Sequence, residues 1–125
     1  MKLHRQVGNL RHNLQSYDEL GFVIDGQHYR GGVLLAQNLL LHPWGPTHAR
    51  LLDCTDFQPL LAAAVPEVVL LGTGRRQHLD IYLLRTLRDS GLTVEAMDSA
   101  AACRTYGILL AEDRQVAAAL LPIST

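Results

Sequence analysis

The run Val68-Val69-Leu70-Leu71, closed by Gly72-Thr73-Gly74, restricts this chain more than any other stretch. Four consecutive large apolar residues without alternation suit a strand covered on both faces. A strand covered twice implies layers packed above and below its sheet. Beyond the glycines, Leu79, Leu83, Leu84 and Leu87 recur at helical spacing, and Gly91 ends that helix after an arginine-bearing last turn. Leu92-Thr93-Val94-Glu95-Ala96 then reads as a second strand. Strand, helix and strand in about thirty residues make a βαβ unit, which implies a parallel pair with a right-handed crossover.

The first half opens with β structure. Phe22-Val23-Ile24 meets Asp25-Gly26 and continues through His28-Tyr29-Arg30 to Val33-Leu34-Leu35, and Asp-Gly between such runs is a strong hairpin signal. Gly31-Gly32 reads as a bulge or bend in the returning strand, and Leu39-Leu40-Leu41 as a third strand stopped by His42-Pro43-Trp44-Gly45-Pro46. Asp56 is expected to cap a short helix over Gln58 to Ala64, ended by Pro66. Ser99 is expected to cap a helix from Ala100 to Ala111, with Cys103, Tyr106, Gly107 and Leu110 facing inward. For Val116 to Pro122 periodicity does not decide: the alanines favour helix, whereas the position and the closing proline suit a strand.

Residues 1 to about 16 are polar and are expected to be less ordered. No repeat, low-complexity tract or linker divides the sequence, so residues 1–125 are expected to form a single domain. With 48% hydrophobic residues it can bury a core without staples. Cys54 and Cys103 are therefore expected to stay reduced. Twelve acidic against eleven basic residues leave a formal charge of −1, so no whole-molecule field draws the chain to nucleic acid, and no nucleic-acid partner is expected. The basic start at Met1 to Gln6 leads into Gly8-Asn9-Leu10 rather than an apolar run, so no secretory signal is read and a cytoplasmic location is expected. Gly31 to Ala49 lacks Asp, Glu, Lys and Arg, but its polar residues and prolines argue against a transmembrane segment.

Gly72-Thr73-Gly74-Arg75-Arg76 places backbone N–H groups and two guanidinium groups at a strand's carboxyl end, where anions commonly bind. A dinucleotide fingerprint needs a third glycine where Gln77 stands, and the Gly-Lys-Ser/Thr phosphate loop is absent, so no cofactor is expected. The glycines read first as permitting a plain tight turn, with anion binding the alternative. Cys103, beside Arg104, lies near a helix start whose dipole favours a thiolate, yet it shares an apolar face with Tyr106 and Leu110 and reads first as a buried small hydrophobe. If the loop forms a crevice, Cys103, Thr105 and Tyr106 are the residues expected to line it beside Gly72 to Arg76. His42 and His48 flank the Pro-rich segment, and Asp53 and Cys54 follow, but at no metal-ligand spacing, so no metal site is assigned. That segment reads as a rigid loop anchored by Trp44, which is also the candidate partner-binding residue. Arg75, Arg76, Arg85 and Arg88 read as a solvated helix face, and the adjacent carboxylates of Glu112 and Asp113 receive no acid-base role. No catalytic residue is assigned.

Four blocks in order, Leu71 to Gly74, Gly91 to Ser99, Ala102 to Tyr106 and Ala118 to Pro122, carry a resemblance. It is to the small-domain family of uncharacterised bacterial and archaeal proteins that includes the mitochondrial complex I assembly factor 3, densest over residues 66–122. The chain departs from the family pattern at Gly107, where relatives often carry Asn, and at Asp113, where Gly is common. The resemblance implies a three-layer α/β domain, with a central mixed β-sheet covered by helices and a smaller β-hairpin element. It makes the undecided last segment a strand, and it implies no reaction. With no complete nucleophile, metal or phosphate constellation in the sequence, the leading reading is a non-enzymatic interaction or assembly protein. The resemblance links that role to respiratory or membrane complex biogenesis, through an unknown protein partner and peripheral association with a membrane complex. The alternative is a small-molecule or anion-binding protein, or an enzyme, using the Gly72 to Arg76 crevice. An enclosed cavity joining that loop to Cys103 would favour the alternative, and an exposed apolar patch the interaction reading.

Overall fold

Alternation along neighbouring strands explains the layering. In a computed structural model describing residues 11–62 and 65–125, the apolar run forms the strand Val68–Thr73, with all six residues buried. Val69 and Leu71 point into one apolar cluster, and Val68 and Leu70 into another on the opposite face. Each large side chain so buried contributes about 2 kcal/mol relative to an exposed one.

The elements run β1 (Leu14–Tyr17), β2 (Gly21–Ile24), β3 (Gln27–Arg30), β4 (Val33–Ala36), β5 (Leu39–Leu41), α1 (Gln58–Ala62), β6 (Val68–Thr73), α2 (Ile81–Asp89), β7 (Val94–Met97), α3 (Ser99–Ala111) and β8 (Val116–Leu121). They build a three-stranded sheet, β1-β2-β3, and a five-stranded mixed sheet, β5-β4-β8-β6-β7. β6 pairs parallel with β7 and with β8, whereas β4 pairs antiparallel with β8 and β5. Phe57 and Leu60 at α1, Leu83 and Leu87 of α2, Trp44 and Leu52 cover one face. Ala102, Cys103 and Tyr106 of α3, with Phe22 and Ile24 of the small sheet, cover the other. The three layers and the mixed central sheet follow the expected α/β architecture.

β8 is a strand for a reason that periodicity does not carry. It sits between β4 and β6 with Ala117, Ala118 and Ala119 fully buried, and the small alanines let both covering layers close on the middle of the sheet. The hairpin turns at Asp25 and Gly26, both with positive φ (52° and 85°), as a tight two-residue turn requires.

Several boundaries differ from expectation. Gly31 and Gly32 do not bulge one strand; they carry the chain from β3 of the small sheet to β4 of the large one. Leu14–Tyr17, within the segment expected to be less ordered, pair with β2, and the rest of that expectation, over residues 1–10, lies outside the described residues. Asp53, not Asp56, is the cap: it heads a 3-10 turn over Cys54–Phe57, its carboxylate accepting from the Thr55 amide, while Asp56 accepts from the Asp53 amide to complete a capping box. α1 follows that turn, and Ala63 and Ala64 at its expected end lie outside the described residues. Leu79 precedes α2 and is exposed, because Asp80 caps the helix at the Leu83 amide. On α3, Gly107 faces solvent and Ala102 takes an inward place. Asp113 stands at φ 62°, the left-handed region where a glycine is at ease.

Candidate functional site

The carboxyl end of β6 is where the glycine pair arrives, and the two glycines turn out to be structural. A Cβ on Gly72 would lie 2.9 Å from Ser99 Cα and 3.0 Å from Leu120 Cδ2, so only a glycine lets the start of α3 approach the sheet. Gly74 adopts φ 103°, and both of its backbone groups are held by Ser99: its amide donates to Ser99 Oγ at 2.8 Å and its carbonyl accepts from the Ser99 amide at 2.8 Å. Ser99 Oγ donates in turn to the Leu121 carbonyl at 2.5 Å. One fully buried hydroxyl therefore ties the ends of β6 and β8 to the beginning of α3. Ser99 is thus inside the helix, and Asp98 is the cap, accepting from the Ala101 amide.

Thr73 is also committed to the fold. Its Oγ1 accepts from the His78 amide at 2.9 Å and donates to the Arg76 carbonyl at 2.6 Å, which fixes the turn of residues 75–78. That turn faces an open cleft of about 440 Å³, bordered by Arg75, Arg76, Gln77 and His78 on one side and by His48 and Arg50 on the other. Arg75 forms an ion pair with Glu19. The cleft lies beyond the carboxyl ends of β6 and β8, where Thr73 and Thr125 also border it. The connection after β6 goes to α2 on one face, and the connection after β7 goes to α3 on the opposite face. Ligands of open α/β sheets bind outside the strand ends at such a place.

Of the residues expected to share a crevice, Thr73, Arg75 and Arg76 border this cleft, whereas Cys103, Thr105 and Tyr106 do not. Cys103 and Tyr106 belong to the apolar cluster under the opposite face of the sheet, so the sheet itself separates them from the loop. Burial pushes the Cys103 thiol up to about 12, with Arg104 only partly opposing it. Burial likewise pushes the Tyr106 hydroxyl up to about 12, and that hydroxyl donates to the His12 carbonyl at 2.9 Å. Thr105 Oγ1 donates to the Ala101 carbonyl within its own helix. Trp44, the expected partner anchor, is instead a core residue. It is 7% exposed, packs edge-on against Phe57 at 5.6 Å and donates its indole N–H to the Asp56 carbonyl at 2.7 Å.

His42 donates from Nε2 to the Arg30 carbonyl, 2.7 Å away, and stacks edge-on with Tyr29. His48, Arg50 and His78 are the cleft residues that sequence reasoning missed. His78 follows Arg76 by two positions and its place in the same loop was a usable signal, but His48 and Arg50 arrive from a distant turn that only the tertiary structure brings alongside.

A second feature lies next to the cleft. Leu79, Ile81 and Tyr82, at the start of α2, expose 53%, 59% and 80% of their surface. Beside them a shallow groove of about 270 Å³ runs between α2 and β7, bordered by Ile81, Leu84, Arg85, Arg88, Thr93 and Val94.

The sequence profile of a family described as "Protein of unknown function (DUF498/DUF598)" matches residues 14–121. Over 112 residues the chain is 32% identical to NADH dehydrogenase (ubiquinone) 1 alpha subcomplex assembly factor 3 of Xenopus tropicalis, an alignment that takes in 87% of this chain. The chain spans 60% of the length of that relative. It is 35% identical over 63 residues to the 13 kDa major membrane protein of Francisella tularensis subsp. holarctica, covering 50% of this chain and 51% of that one. Among solved structures, a crystal structure of a Bordetella parapertussis protein superposes with a TM-score of 0.81 at 35% identity, covering 91% of this chain and 98% of the other.

Proposed function

The chain belongs to the DUF498/DUF598 family of proteins of unknown function, and from that premise we propose that it is a non-catalytic interaction protein of the assembly-factor kind. In this reading it docks on a protein partner while a respiratory or other membrane complex is being built. The observation that carries it is the start of α2, where Leu79, Ile81 and Tyr82 stand in solvent within four residues of one another. Apolar side chains grouped in this way are a usual mark of a docking surface, and a tyrosine is well suited to anchor one. Arg85 and Arg88 on the adjoining groove favour a partner with acidic residues around an apolar anchor. The name of the Xenopus relative, an assembly factor, supports the class of role, and the name of the Francisella relative supports a place at a membrane. No helix among the described residues is long and apolar enough to cross a membrane. In this reading the association is peripheral, from the cytoplasmic side, through subunits of the complex.

Affinity capture from the native host tests this, using the wild-type chain beside an Ile81→Asp/Tyr82→Ala variant. Both positions are exposed, so the variant should keep its far-UV circular dichroism. Recovery of membrane-complex subunits by the wild type, lost with the variant, is the expected result. Recovery that ignores the variant, or a co-purifying metabolite with no protein, overturns the reading.

A further inference from the structure

Four side chains on the cleft have no protein partner among the described residues: His48, Arg50, Arg76 and His78. The backbone amides of Arg75, Arg76 and Gln77 likewise engage no acceptor among the described residues. Two unpaired guanidinium groups facing one concave surface repel each other unless something negative lies between them. Of the acidic side chains nearby, Glu19 is paired with Arg75 and Asp80 accepts from the Leu83 amide. Thr73, buried and doubly bonded, holds the amide-bearing turn in place before any ligand arrives, so little ordering is left for binding to impose.

We propose that this cleft binds a phosphate dianion, either inorganic phosphate or the phosphate group of a small phosphomonoester. The donors number more than one carboxylate accepts, and they include two planar guanidinium groups suited to a tetrahedral oxyanion. The cleft volume, about 440 Å³, leaves room for a small organic group beyond the phosphate. The site adjoins the docking surface on α2 but rests on different side chains, so either reading can fail without the other.

The test is an amide NMR titration of the full chain at low ionic strength with inorganic phosphate and with glycerol 3-phosphate, each matched by sodium chloride. Saturable shifts are expected at Arg50 and from Arg75 to His78 with both phosphates and not with chloride. Tighter binding of glycerol 3-phosphate assigns the site to a phosphomonoester, and equal binding assigns it to phosphate itself. Arg50→Gln and Arg76→Gln should each weaken binding about tenfold, while Arg30→Gln on the small sheet should leave it unchanged. Shifts that fail to saturate, shifts that chloride reproduces, or wild-type affinity in both cleft variants would overturn the proposal. Retained dispersion in the variant spectra confirms that they are folded.

Discussion

Residues 72–74 and residues 75–79 are neighbours in the chain and opposites in character. The first three are buried, Ser99 holds both backbone groups of Gly74, and the Thr73 hydroxyl is bonded on both sides. The next five are all exposed, and the side chains of Arg76 and His78 have no partner among the described residues. The contrast teaches that a Gly-Thr-Gly-Arg-Arg sequence at a strand end is two devices joined together. The glycines weld a helix start to a sheet, and the arginines that follow are left for something else.

The sealed side can be probed through Cys103, which sits on the helix that begins at the weld. With its thiol raised to about 12 from 9.0, its thiolate fraction at pH 8 is roughly a thousandfold below that of the unfolded chain, and native alkylation should slow accordingly. Mass spectrometry of labelled peptides should find Cys54, which is only half-buried, modified first. The same shift sets a pH dependence. Because the folded pKa lies above the unfolded one, this contribution to stability is complete below pH 9.0 and is lost as pH climbs towards about 12. Urea midpoints measured across that range check it.

Gly72→Ala strikes the weld directly, since Ser99 Cα and Oγ would each lie only 2.9 Å from the new methyl. A loss of about 3 kcal/mol is expected in urea unfolding, with Cys103 alkylation rising in parallel. Ser99→Ala keeps the shape but strands the Gly74 amide and the Leu121 carbonyl, for a loss of about 2 kcal/mol. The smallest effect belongs to the open side: Arg75→Gln removes an exposed ion pair with Glu19 and should leave the urea midpoint within error. A large loss there, or none at Gly72, would erase the distinction between the two halves.

How far such features can be read in advance depends on whether their cause is local. The β6-α2-β7 unit is legible because four unbroken apolar residues and a helical leucine spacing are properties of short windows, and Asp25-Gly26 announces its hairpin for the same reason. β8 is not, because its alanines become strand by being sandwiched between β4 and β6, a fact of topology rather than propensity. Caps are misplaced by one to three positions where two candidates adjoin: Asp98 beside Ser99, Asp53 ahead of Asp56. At the site, Arg75 and Arg76 are legible from their place after a buried strand. His48 and Arg50 are not, since nothing near them in sequence marks them as neighbours of that loop. Cys103 and Tyr106 group with it in the sequence because they follow a sheet edge, and the sequence does not say on which face the helix then lies.

The position of β8 has a consequence for biosynthesis. It is the last of the described strands to be translated, yet it occupies the middle of the large sheet. Until residues 116–121 clear the ribosome, the β4-β5 and β6-β7 pairs are two fragments with bare inner margins that nothing joins. The nascent chain must therefore wait, and closure of the sheet falls in a single late event whose timing is set by the ribosome.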